Sequence, residues 1–150
     1  MLYMITHITK GASLYEIQMV SLEEPMLPQT RYIQPTKPHF YVGQTVSANS
    51  TEITSAPDEK SDNCNTMVVV NICKNVGPDG KSHTKYHLLS KKFGYQLVNH
   101  IDSSPAFLGI SLYDKVLVET KKTVKNSDIY KIIRNLTKEQ IFRDILTKQI

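Results

Sequence analysis

Among the side chains in this chain that could carry acid–base, nucleophilic or metal chemistry, the five histidines and two cysteines are the first to weigh. His7-Ile8-Thr9 has the form H-x-[ST], and on a strand the period of two would aim the imidazole and the hydroxyl from one pleat face, where a proton could be exchanged. His83 and His87 are four apart. On a strand they would share a face with Lys85 but stand about 13 Å apart at ~3.3 Å per residue, too far to hold one metal ion. A helix would bring them together, but Tyr86, Leu88 and the turn before them favour a strand. Cys64 and Cys73 are too few for a disulfide framework and do not form CxxC, so they read as free thiols. The chain contains no Walker A, GxGxxG, GxSxG or HExxH string. No catalytic residue, metal or cofactor is therefore assigned.

The His7 tripeptide resembles those that 2H phosphoesterases carry in two copies on two strands, where one histidine acts as base and the other as acid. That resemblance implies a second pair. His100-Ile101-Asp102 has an acid in the third place, and His83-Thr84-Lys85 has a lysine there. A 2H-like phosphoesterase is accordingly the third functional reading.

The elements that must position these groups begin with the stretch 66–89. Met67, Val68, Val69, Val70 and Ile72 are apolar on both pleat faces, as a strand covered above and below would be. Gly77-Pro78-Asp79-Gly80 is a turn in which proline presets φ and glycine accepts a positive one. This is expected to be a central hairpin. Residues 2–9 and 14–20 read as an opening hairpin around Lys10-Gly11-Ala12-Ser13. Pro25, Pro28, Pro35 and Pro38 make 21–38 an extended connection with at most an edge strand at 31–34. Residues 39–46 read as a strand with Gly43 as a bend.

Residues 47–65 carry four acids, one lysine, one isoleucine and no aromatic, a composition that reads as a mobile acidic loop. Leu89, Phe93, Leu97 and Ile101 recur at steps of four, predicting a mid-chain helix stopped at Pro105. Residues 106–112 and 113–123 read as strands closed by Lys121, Lys122 and Lys125. Ile129, Ile132, Ile133 and Leu136 then predict a helix capped by Asn126 or Ser127. Thr137-Lys138-Glu139-Gln140 reads as a capping box opening a second helix with Ile141, Phe142, Ile145 and Leu146 on one side. The fold class expected is α+β in one domain, 1–150: a mostly antiparallel sheet, open or curled towards a barrel, with a mid-chain helix and two C-terminal amphipathic helices.

At 150 residues and 40% apolar, such a chain buries roughly 68–70% of its unfolded surface. Residues 1–75 carry five Lys/Arg against seven Asp/Glu and residues 76–150 thirteen against seven, so the charge of +4 lies in the second half. No apolar run approaches a membrane span, and the opening residues lack the basic region and cleavage site of a secretory signal. The reading is of an intracellular protein, cytoplasmic or nuclear, without a membrane partner.

Chemistry-bearing motifs are scarce and amphipathic surface is plentiful. The first functional reading is therefore a small non-catalytic protein that binds another protein as a subunit or adaptor, in a homo- or hetero-oligomer. Its interface would be the stripe Ile129, Ile132, Ile133, Ile141, Phe142 and Ile145. The second reading is an OB-like module for single-stranded nucleic acid. Residues 42–46 and 113–118 both read as a turn followed by an alternating strand, as small barrels repeat, and His83, Lys85, Tyr86 and His87 would supply a basic, stacking face.

Overall fold

The computed structural model describes residues 1–22, 26–35, 39–101, 109–122 and 127–148. The chain divides into two compact units, Met1–Ala56 with Glu139–Ile150, and Pro57–Lys138.

The first unit is built on β1 (Leu2–Lys10), β2 (Tyr15–Ser21), β3 (Pro28–Ile33), β4 (Thr45–Ala48) and β5 (Ile53–Ser55), paired antiparallel in the order β3-β2-β1-β4-β5. The expected opening hairpin is β1–β2. Pro28 begins an edge strand, where its missing N–H breaks no central ladder. Ile5, Ile17, Met19, Val46, Ala48 and Ile53 form the core, with Tyr3, Ile8, Ile33 and Phe40 packed against it. Each large aliphatic side chain so buried contributes about 1.5–3 kcal/mol. The segment 47–65, loop-like in composition, holds the end of β4 and all of β5. Its polar residues build the reversal between them: Asn49 Oδ1 accepts the N–H of Thr51 and of Glu52, each at 2.9 Å.

The second unit contains β6 (Cys64–Val76), β7 (Ser82–Ser90), β8 (Gly94–Ile101), β9 (Lys115–Lys122) and β10 (Ser127–Asn135), antiparallel in the order β10-β9-β6-β7-β8. As expected, β6 is the middle strand and pairs with β7 through the 77–80 turn, where the Gly77 N–H donates to the Lys81 carbonyl at 2.8 Å. Met67, Val69, Leu88, Val98, Val116, Val118 and Ile132 form its core. The outermost strands β8 and β10 also touch but share no ladder, so the sheet does not close.

The α+β expectation is corrected. The described residues form two open five-stranded antiparallel sheets, not a barrel, and one helix, α1 (Leu136–Lys148), in place of three. Where a mid-chain helix was expected stands β8, after a turn at 91–93 that ends at Gly94 with φ +66°. The step of four there spans a hairpin and not one element: Leu89 lies on β7, Phe93 in the turn and Leu97 on β8. The helix expected over 126–136 is strand β10. Its ladder with β9 skips register between Ile129 and Lys131 and again between Ile132 and Arg134, setting Ile129 opposite Thr120, Ile132 opposite Val118 and Asn135 opposite Val116. Each bulge adds one unpaired residue, so same-face positions fall three apart and imitate a helix.

The remaining helix is capped by Asn135, whose Oδ1 accepts the Lys138 N–H at 3.1 Å, and not by Thr137. The Thr137 hydroxyl instead accepts the Lys115 N–H at 2.7 Å, and buried Glu139 accepts a hydrogen bond from the Thr45 hydroxyl. The stop at Pro105, the 106–108 part of the expected strand, Pro25, Pro38, Lys125 and Asn126 lie outside the described residues. Among the described residues no helix is long and apolar enough to cross a membrane.

The two sheets follow one plan. In each, three hairpin-linked strands are followed by a fourth that returns beside the first, the Greek-key order, and a fifth pairs with the fourth. The details repeat as well. Ladder β1–β2 skips register between Ile5 and His7, and β6–β7 between Val69 and Asn71. The Ile5 N–H donates to the Gln44 carbonyl at 3.0 Å and the Val69 N–H to the Asp114 carbonyl at 2.9 Å. The side chain of Gln44 accepts the Tyr41 N–H at 3.1 Å, and that of Asp114 the Ser111 N–H at 2.9 Å. The residues before them, Gly43 and Tyr113, are both left-handed, at φ +90° and +69°. The chain is thus an internal structural repeat, with β1–β5 matched by β6–β10. In the sequence its most visible trace is the pair of turn-plus-strand stretches at 42–46 and 113–118.

Candidate nucleic-acid interface

Strand β7 alternates between a buried and an outward row. Thr84 and Leu88 are buried and Tyr86 packs against the core, while Lys85 and Leu89 are exposed and His83 and His87 half-buried. The ladders align this outward row with its neighbours: Asn71, Cys73 and Asn75 of β6 stand opposite His87, Lys85 and His83, and Tyr95, Leu97 and Asn99 of β8 opposite Leu89, His87 and Lys85. Three strands therefore present one continuous polar and aromatic surface. Tyr95 and Leu97 are 55% and 52% exposed, too much for residues of a core.

Within this surface His87 bridges two neighbours. Its Nε2 lies 3.6 Å from Cys73 Sγ, and its Nδ1 is hydrogen-bonded to the Tyr95 hydroxyl. The His87 and Tyr95 rings meet edge to face, with centroids 5.5 Å apart. At the far end of β7, His83 Nε2 lies 3.3 Å from Asp79 Oδ1. The Lys81 N–H, and after it His83, hold the Asp79 carboxyl below its ordinary value. The residues from Cys64 to Ile101 carry five lysines and a single acid, Asp79. Lys91 and Lys92, in the turn beside Tyr95, are exposed, and Lys92 Nζ sits 5.4 Å from the Phe93 ring centre.

Of the four residues singled out in the sequence for nucleic acid, the structure places His83, Lys85 and His87 on this outward row. It turns Tyr86 inward. The exposed aromatic is Tyr95, which a helical reading of 89–101 passes over; the alternating pattern after Gly94 is the signal for it. The six-residue stripe is divided. Ile132 is buried in the core of the second unit, Ile133 and Phe142 are half-buried, and Ile129 stands opposite Thr120 in β10. Ile141 and Ile145 are exposed one helical turn apart on α1.

His7 is exposed on β1 in the first unit, its Nδ1 3.3 Å from Thr6 Oγ1. That unit has a cavity of about 220 Å³ whose lining includes Ile8, Ile17, Phe40 and His39, and no other histidine. His100 stands opposite Thr84 in β8. Among the described residues no three of His, Cys, Asp and Glu gather as a metal site would require. Comparison with protein-family models, with curated proteins and with solved structures finds no match.

Proposed function

We propose that this is a non-catalytic, intracellular macromolecule-binding protein whose second unit binds single-stranded nucleic acid across the outward face of β6, β7 and β8. The observation that carries the reading is exposed Tyr95, set with Lys85 and His87 on a surface whose three strands and the turns that link them hold five lysines against one acid. A base has a π-face whatever its identity, so an exposed ring at the centre of a basic surface holds a strand by stacking while the lysines meet its phosphates. The Tyr95 hydroxyl is engaged by His87, which holds the ring in place. Asn71 and Asn99 add donors and acceptors without negative charge.

Fluorescence anisotropy with labelled oligonucleotides tests it. Tyr95→Ala is expected to weaken binding by about 1–3 kcal/mol, and Lys85→Ala to flatten the dependence of log K on log salt by about 0.7 for each phosphate left unneutralised. A wild-type protein that leaves single strands unbound even at low salt ends this reading.

A second reading rests on Ile141 and Ile145, which leave an apolar strip on α1. We take its occupant to be a second copy of this chain, since a two-fold axis makes such a strip complementary to itself. Light scattering should then report a dimer that becomes monomeric in Ile141→Asp. A wild-type monomer at all accessible concentrations overturns it.

A further inference from the structure

We propose that Cys73, His87 and Tyr95 form a nucleophilic thiol site that exchanges with low-molecular-weight disulfides of the glutathione class, so that Cys73 is a modification site. The proposal does not depend on nucleic-acid binding. Its basis is the ordered contact of three side chains from three adjacent strands: Cys73 of β6, His87 of β7 and Tyr95 of β8. Nucleophile, base and a group that orients the base are the parts that thiol activation requires. The reactive form proposed is the tautomer in which the Tyr95 hydroxyl oxygen accepts from Nδ1–H, which leaves the Nε2 lone pair facing Cys73 Sγ at 3.6 Å.

The internal repeat supplies an independent argument. Its register matches Cys73 with Thr9, His87 with Gln18 and Tyr95 with Pro28. The first unit builds the same strands without any of the three groups, so the fold does not require them where they occur. The other cysteine is an internal contrast. Cys64 is buried, and its thiol is pushed up by burial and then by the charges of Glu119, Asp58 and Asp62, which keeps it protonated and unreactive.

In the step proposed, His87 Nε2 takes the Cys73 proton and the thiolate attacks one sulfur of the disulfide. A new S–S bond forms to Cys73 as the old one breaks, and the departing thiolate recovers the proton from the imidazolium. One disulfide and one thiol yield one disulfide and one thiol, and no other oxidant is needed.

The full-length protein is mixed with glutathione disulfide and, separately, with an aromatic disulfide whose released thiolate absorbs light; peptide mass mapping locates the adduct. The expected result is one equivalent released per chain, the adduct on Cys73 and none on Cys64, at a rate at least tenfold above that of free cysteine at the same pH. His87→Gln, which installs the residue the first unit carries at the matching place, should lower that rate about tenfold or more while the circular dichroism stays unchanged. Tyr95→Phe should lower it less. The proposal is overturned if folded His87→Gln reacts as fast as wild type, if Cys73 reacts no faster than free cysteine, or if Cys64 takes up the adduct equally.

Discussion

Asp114→Ala should lower the unfolding free energy by about 1.5–3 kcal/mol, since it removes a charged acceptor and leaves one buried amide hydrogen of Asn135 without a partner. Asp114 is 4% exposed, and its Oδ2 accepts the Ser111 N–H and the Asn135 amide, both at 2.9 Å, with Lys138 Nζ 3.9 Å away. Asn135 is also the cap of α1, so removing the Asp114 carboxylate takes away one of the two acceptors, with the Gly109 carbonyl, that orient the cap amide. Asp114→Asn keeps one acceptor oxygen and should cost less than half as much. Urea unfolding with an unchanged slope measures both. A change below about 0.5 kcal/mol in the alanine variant, the size of an ordinary surface substitution, would show that the turn holds β9 in place without this carboxylate.

Leu88→Ala is expected to cost about 2–5 kcal/mol, the transfer term plus the cavity left in a packed interior. Against a typical domain stability of ~5–15 kcal/mol, that is a large fraction. Leu88 has no exposed surface and belongs to the core of the second unit. Its neighbour Leu89 is 47% exposed on the opposite pleat face, and Leu89→Ala should change stability by no more than about 0.5 kcal/mol. The pair therefore assigns the two faces of β7 by experiment. Equal effects would mean that the outward row is also covered, and would remove the surface on which both proposals stand.

Hairpins were legible because turn chemistry is local. Gly77-Pro78-Asp79-Gly80 announces its reversal, and the β-branched run before it names the middle strand. The C-terminal helix was legible from its apolar spacing, although its cap lies two residues earlier than the capping-box pattern suggests. What stayed hidden depended on ladders between distant residues. The bulges in β10 are settled by β9, and they convert a period of two into the threes and fours of a helix. The internal repeat was visible only at its turns, since matched positions hold residues as unlike as Thr9 and Cys73 or Gln18 and His87. For the proposed interface, the residue types of β7 drew attention to its outward row, while Tyr95 was hidden by the misread helix. The approach of Cys73 to His87 spans fourteen residues of sequence and had no local signal at all.

Two copies of one strand plan within a single chain set up a kinetic competition during folding, because each strand meets a counterpart able to take its place in a ladder. Exchange between molecules is the corresponding hazard at high concentration. The unlike residues of the copies work against it. By the shared register, β6 in place of β1 would put Val68 where Met4 is buried, and β7 in place of β2 would put Tyr86 where Ile17 is buried. One exchange leaves a void and the other overfills the core, so divergence between the copies raises the energy of these two swapped forms above that of the correct one.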